Sequence, residues 1–359
     1  MMSSLRKSLF IACFLFSLNG LFANTDSTKI SVNLYTSAFF DNKEFTGDIK
    51  KGYTIPGFFI QPTLGIESDN FKVDAGFHII YAAGTDSLEK FVPIVKLTYL
   101  VSPTFKMIVG NIDSKDNHQL PEPLFKTERF YLNQPELGVQ FKMDKSRFKG
   151  DLWVNWEKYI KNGSPFQEQF TVGFVSKYKP ASFEQKNGIY ASAIALATHQ
   201  GGQIDSTGLP VTTLINLGGE IGHHFKLPFG NADAEVKIAG YLSSDKSPSP
   251  HTKYKNGTAI HPKIAMIWPN LQLEAGYWYA TTFVNPRGEE LYGSTSTINE
   301  LFDEKKRELI TMQLYLNKML NKQFNICTGF NAYIDIKNGI TEYSYVFRLT
   351  FDGRVYEKP

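Results

Sequence analysis

FFIQPTLGIE, residues 58–67, decides the fold, because its side chains sort cleanly only when every second residue is taken together. Phe58, Ile60, Pro62, Leu64 and Ile66 make one face; Phe59, Gln61, Thr63, Gly65 and Glu67 make the other. A helix would scatter these apolar residues around its circumference, whereas a strand places them all on one side. Downstream, Phe71, Val73, Ala75, Phe77, Ile79 and Tyr81 alternate with Lys72, Asp74, Gly76 and His78. Close to the C-terminal end, Tyr343, Tyr345, Phe347, Leu349 and Phe351 alternate with Ser344, Arg348 and Thr350.

The same period of two predicts sixteen strands, near 29–40, 53–67, 71–83, 91–101, 104–112, 135–143, 148–160, 166–178, 188–200, 211–225, 232–244, 257–268, 270–283, 308–319, 323–336 and 340–352. The number is even, as bacterial single-chain barrels require; fourteen or eighteen strands would be the same architecture. Short connections, such as 68–70, 102–103, 144–147, 269–270 and 321–322, follow even-numbered strands. Long ones, notably 113–134, 201–210, 245–256 and 285–307, follow odd-numbered strands. Inner turns and outer loops of a membrane barrel alternate in this way.

A β-sandwich would also alternate, but here the apolar face runs the roughly nine to eleven residues that a tilted membrane strand needs, with aromatics at its ends. Hydrocarbon offers no partner for backbone N–H or C=O, so a spanning sheet has to close on itself. The expected fold is therefore all-β: one closed antiparallel transmembrane β-barrel with short periplasmic turns and long outer loops. One exception is ELFDEKKR, residues 300–307, whose leading acids and trailing bases predict a short helix on an outer loop, with a disordered charged loop as the alternative.

Arg6 and Lys7, the apolar run Leu9 to Phe16 and a site after Ala23 read as an export signal, giving residues 1–23 as signal peptide and 24–359 as the barrel. Cys13 lies inside the apolar run, which argues against a lipidated cysteine. Its removal leaves Cys327 alone, with neither a disulfide nor a CxxC site. Loss of Arg6 and Lys7 lowers the formal charge from +3 to +1, which gives no basis for nucleic-acid binding. After the signal, no run reaches the roughly 18 uncharged apolar residues of a membrane helix.

With the export signal, the dyad strands, the loop alternation and an aromatic-rich last strand, the mature chain resembles porin-like outer-membrane β-barrels of Gram-negative bacteria. DLWVNWEKYI at 151–160 and QEQFTVG at 167–173 are similar to uncharacterised members of that class. The chain departs from the class, whose members commonly end on a terminal aromatic, by carrying Asp352 to Pro359 beyond Phe351. The resemblance implies an outer-membrane location, a lipid bilayer around the barrel, an inward-folded third outer loop and, as in many sixteen-stranded porins, a homo-trimer.

Taking the polar face as luminal, the early strands contribute Lys72, Asp74, His78, Lys96, Glu136, Asp151 and Glu157 to the pore lining. Later strands contribute His199, Glu220, His224, Lys237, His261, Lys263, Glu274, Asp335 and Arg348. Buried charge is costly unless paired or wet, so so populated a lumen reads as water-filled. The function expected from this is passive diffusion of small hydrophilic solutes, without strong ion preference. A plugged barrel serving assembly, secretion or surface binding is the alternative.

The inward third loop would place Asp113, Asp116, His118, Glu122, Glu128, Arg129 and Tyr131 at a constriction; an outward solvated loop is the bland reading. Asp113, Asp116 and His118 match no calcium-loop spacing, so no metal or other cofactor is expected. The His223-His224 pair and His199 invite a third reading, a membrane-embedded hydrolase. No GxSxG or HExxH accompanies them, so no catalytic residue is assigned and the expectation is a protein that is not an enzyme. Trp153, Trp278, Tyr35, Tyr159, Tyr241, Tyr315 and Tyr333 are expected on the luminal side.

Overall fold

The computed structural model describes residues 28–358 other than 229, 250, 251 and 300; the expected signal peptide lies outside the described residues. Sixteen strands form: β1 (Lys29–Glu44), β2 (Thr54–Ser68), β3 (Phe71–Ala82), β4 (Lys90–Ser102), β5 (Phe105–Asn111), β6 (Leu137–Asp144), β7 (Phe148–Lys158) and β8 (Gln169–Tyr178), then β9 (Gly188–Gln200), β10 (Thr212–Lys226), β11 (Asp233–Asp245), β12 (Asn256–Ile267), β13 (Leu271–Thr281), β14 (Lys306–Met319), β15 (Phe324–Asp335) and β16 (Ile340–Lys358). Each pairs with its sequence neighbours and β1 closes on β16, all antiparallel, so the sheet has no free edge.

The dyad pattern sets the two faces. In β2, Phe58 is 45% exposed on the outside while Phe59 is 0% exposed on the inside. Val95, Ile221, Val236, Ile264 and Phe347 stand outward in the same way, giving the apolar belt that hydrocarbon covers.

Residues 352–358, beyond Phe351, have a simple place. β16 continues through them, pairing Tyr356 with Val32 and Lys358 with Ile30, and the register steps between Val32 and Asn33 so that Val355 is an extra residue on β16. The last strand is thus longer than the aromatic run that marks it in the sequence.

Of the helix expected at 300–307, the described residues 301–307 form no helical turn. Leu301–Lys305 turn and make an isolated bridge from Asp303 to Thr295, and Lys306 already opens β14. Arg307 reaches Glu304 at 2.6 Å and also Asp335 on β15, so the charges that looked like helix-end complements serve a cross-strand ion pair. The described helical residues lie in the long loops instead: α1 (Arg129–Leu132) and two 3-10 turns at Asn117–Gln119 and Glu290–Tyr292.

Candidate functional site

Loop 112–136, between β5 and β6, folds into the barrel, and its own charges fix its path. Lys96 and Lys106 grip Asp113; although burial opposes ionisation, the two ammonium groups outweigh it and hold this carboxyl well below the usual range. Lys115 reaches the β1–β16 seam, 2.7 Å from Asp352 and 3.9 Å over the ring of Tyr35. The chain then reverses through Asn117, His118 and Gln119, all in the left-handed region at φ of 49°, 54° and 55°, with the Asp116 carboxylate accepting from the His118 backbone N–H.

That reversal sends His118 to the opposite flank. Its Nδ1 lies 3.0 Å from Asp151 on β7 and its Nε2 3.2 Å from Glu136, and the side chain is fully enclosed. Burial disfavours a charged ring, but the bonds to Asp151 and Glu136 outweigh it and raise the imidazole's pKa. The charged form of the ring is favoured between the two carboxylates.

Further along, Glu122 accepts from Tyr333 Oη at 2.6 Å, Tyr292 Oη at 3.1 Å and Gln313 Nε2 at 3.0 Å. Burial, with Glu289 adding its charge, pushes this carboxyl up to about 7. Tyr131 stacks on Phe39 at 4.5 Å, and Arg129 binds Glu157 at 3.3 Å.

The connection between β13 and β14, read from the sequence as an outer loop, also folds inward and locks onto the first. Lys126 N donates to Arg287 O at 2.9 Å and Glu289 N to Glu122 O at 3.0 Å. Residues 45–53 join through Thr297 N to Ile49 O at 2.8 Å. An ion-pair chain ties the three together: Glu128 with Lys43 at 2.8 Å and Lys126 at 2.5 Å, Glu289 with Lys43 at 2.7 Å and Lys50 at 3.0 Å, and Glu290 with Lys50 at 2.6 Å and Lys126 at 3.0 Å. Phe45, Ile49, Leu124, Phe125, Phe283, Leu291 and Tyr292 pack beneath them with Trp153, Trp278 and Tyr333 of the wall. The outer half of the lumen therefore holds a hydrophobic core with its own ionic staples.

Lower down, a ladder of alternating charge lines β10 to β13: His224 to Glu235 at 2.6 Å, Glu235 to Lys237 at 3.0 Å, Lys237 to Glu274 at 2.7 Å and Glu274 to Lys263 at 2.8 Å. Glu220 joins it through Tyr190, and His261 contacts Thr311 at 3.1 Å. Elsewhere on the inner wall Lys72 pairs with Asp74, His78 with Gln61 and Asp335 with Arg307.

Two expected luminal residues face elsewhere. His199 is registered with Phe170 and Thr213, contacts both, and shares their outward face, because the luminal residues of β9 are the even-numbered ones such as Leu196 and Thr198. Tyr159 lies past the end of β7 and is 69% exposed, since alternation no longer applies there. Asp113, Asp116 and His118 do not converge on one point: lysines hold the first, the second caps the turn, and the third faces β6 and β7.

Lys43, Lys50, Arg287, Glu289 and Glu290 were missed by reading charges on long loops as solvated. One signal was available: 283–294 carries Phe283, Leu291 and Tyr292, an apolar load that an outer loop has no reason to bear. The space left by the loops includes a cavity of about 420 Å³ walled by His118, Asp151, Lys106 and Lys142, and another of about 520 Å³ beside Glu122, Tyr131, Lys263 and Arg348.

Comparison with known proteins gives two results. A family model described as Lipid A 3′-O-deacylase-type matches residues 22–356. Solved structures share the fold at low identity: the loop-L8 deletion mutant of OmpT, an outer membrane protein of Vibrio cholerae (11% identical, TM-score 0.53, 90% of this chain and 99% of that one), and two Pseudomonas aeruginosa proteins. These are OccK5 (14% identical, TM-score 0.51, 91% and 98%) and OccK11 (10% identical, TM-score 0.50, 91% and 96%). No curated protein matches the sequence. The protein is an outer-membrane barrel of the Gram-negative type. The family model corrects the expectation of a protein that is not an enzyme. That expectation rested on the lack of a local nucleophile motif, and a site assembled from a loop and distant strands leaves no such motif.

Proposed function

Because the chain belongs to the Lipid A 3′-O-deacylase-type family, we propose that it is an outer-membrane hydrolase that removes an ester-linked acyl chain from a lipid A-type glycolipid. The observation that carries this reading within the barrel is His118, enclosed between Asp151 at 3.0 Å and Glu136 at 3.2 Å on a loop stapled in place. Ester hydrolysis needs a group to take a proton from the attacking water and another to protonate the leaving sugar oxygen. A carboxylate beside an imidazolium supplies both: Asp151 or Glu136 as the acceptor, His118 as the donor. The packed loops support the reading, because they hold the histidine within a small range of positions. Lys106 and Lys142, in the same cavity wall, add positive charge where an oxyanion would develop.

A second reading, solute passage, is favoured by the 520 Å³ cavity and its charged lining. In it Asp113, Asp116, His118, Glu122, Glu128, Arg129 and Tyr131 narrow the path.

The test is to incubate the folded protein, and its His118→Gln variant, with 3′-O-acylated lipid A in mixed micelles and follow the glycolipid by mass spectrometry. Loss of one acyl chain with the parent protein and not with the variant supports the hydrolase. Unchanged lipid, with stepwise conductance of the same preparation in planar bilayers, supports passage instead.

A further inference from the structure

The arginines of the lumen, buried or half-buried, follow one rule with one exception. Arg129 has Glu136 and Glu157, Arg287 has Glu157, and Arg307 has Glu304 and Asp335. Arg348 on β16 has no carboxylate within 4 Å among the described residues. Its Nε is fully covered without a hydrogen-bond partner, and only Nη2 finds a protein acceptor, the weak Sγ of Cys327 at 3.4 Å. A guanidinium is always charged and carries its donors in a rigid fork shaped for an oxyanion. Leaving such a charge inside a protein without a counter-ion is unfavourable enough that something normally pairs with it.

The space around Arg348 is built for an occupant. The residue lines the 520 Å³ cavity. The acids of the same lining are already engaged: Asp41 accepts from Tyr131, Asp116 from the His118 backbone N–H, Glu122 from two tyrosines and Gln313, Glu274 from Lys237 and Lys263, and Glu220 from Tyr190. The ring of Phe130 covers the guanidinium at 4.7 Å, and Ile194, Val175 and Val346 supply apolar wall to the same cavity.

We propose that this cavity is a binding site for a small organic acid, its carboxylate on Arg348 and its apolar body against Phe130 and Val346. The Phe130 ring and Val346 beside the guanidinium favour a carboxylate that carries an apolar body over inorganic phosphate, which has none. The cavity adjoins the one that holds His118, sharing Gln119, Val175 and Lys177 with it, but Arg348 lines only the larger one and the proposal does not depend on the hydrolase reading.

Isothermal titration of the folded barrel in neutral detergent tests it, with benzoate as the probe, methyl benzoate as the uncharged control and inorganic phosphate as the competing oxyanion. Benzoate is expected to bind saturably, the ester and phosphate at least tenfold more weakly, and Arg348→Met to lose benzoate at least tenfold. Cys327 faces Arg348 directly across the β15–β16 ladder, so Cys327→Asp supplies an internal counter-ion. It is expected to abolish binding with the arginine still present, which keeps the test valid if Arg348→Met fails to fold. Benzoate binding that survives in Cys327→Asp, equal binding of the ester, preference for phosphate, or no saturable benzoate binding overturns the proposal.

Discussion

The imidazole of His118 lies flat on the indole of Trp153, ring centroids 3.7 Å apart and planes within 3°. The ring stack on Trp153 and the hydrogen bond to Asp151 join loop 112–136 to β7 by two different forces, while Glu136 holds the ring's other nitrogen from within the loop. Gly173, registered with Trp153 on β8, makes the arrangement fit, since a Cβ there would lie 2.1 Å from the indole. Gly173→Ala should displace the indole and cost about 1–3 kcal/mol. It should be read as a lower midpoint in urea unfolding followed by gel mobility.

The same contact gives the loop a pH dependence. His118 has a raised pKa in the folded state, so its contribution is complete below the unfolded value of about 6.5 and is lost as pH rises through the folded one. Proteolytic nicking within 113–134 should increase on alkaline titration over that window. In His118→Gln the nicking rate should not change with pH there.

Glu122 should act with the opposite bearing on its own ionisation. Its folded pKa of about 7 lies above the ordinary carboxyl value, so the native state binds the proton more tightly and stability falls between about pH 4.5 and 7 as the buried group ionises. Glu122→Gln should flatten that limb and leave the protein more stable above neutrality by about 3 kcal/mol, taken from the size of the shift. Equilibrium unfolding at paired pH values measures it.

Removing one acid from the ion-pair chain should be worse than its exposure to solvent would suggest. Glu289 holds both Lys43 and Lys50 and is 1% exposed. Glu289→Gln leaves two buried ammonium groups short of charge, at a cost of about 3–5 kcal/mol. The expected readout is early loss of the loop core, seen as protease sensitivity at 45–53 and 283–294 before the barrel itself unfolds.

Deleting Pro121 to Phe130 removes Leu124, Phe125, Glu122 and Glu128, the centre of the packed loops. Single-channel conductance in planar bilayers should rise if these residues obstruct the lumen. Equal conductance before and after deletion would remove the obstruction from the account.

Much of the barrel was legible because alternation is a local property: Phe58 and Phe59 are adjacent in sequence and opposite in space whatever the rest of the chain does. His199 shows where this weakens. Its strand is flanked on both faces by small and apolar residues, so polarity alone gave the wrong side and only the register with Phe170 and Thr213 settles it. Loop 283–305 shows the second difficulty, since its charges have the composition of a solvated surface and only their partners, Lys43 and Lys50 on the far side of the sequence, make them interior.

By itself the sequence determined sixteen two-faced strands and therefore a closed sheet, because backbone groups in hydrocarbon have nowhere else to bond. Tertiary structure alone decided which loops enter the lumen and which histidine meets carboxylates. Those contacts join residues well apart in the chain, 33 positions for His118 and Asp151 and 246 for Lys43 and Glu289, and no periodicity records a pairing that depends on where the barrel wall brings two chain segments together.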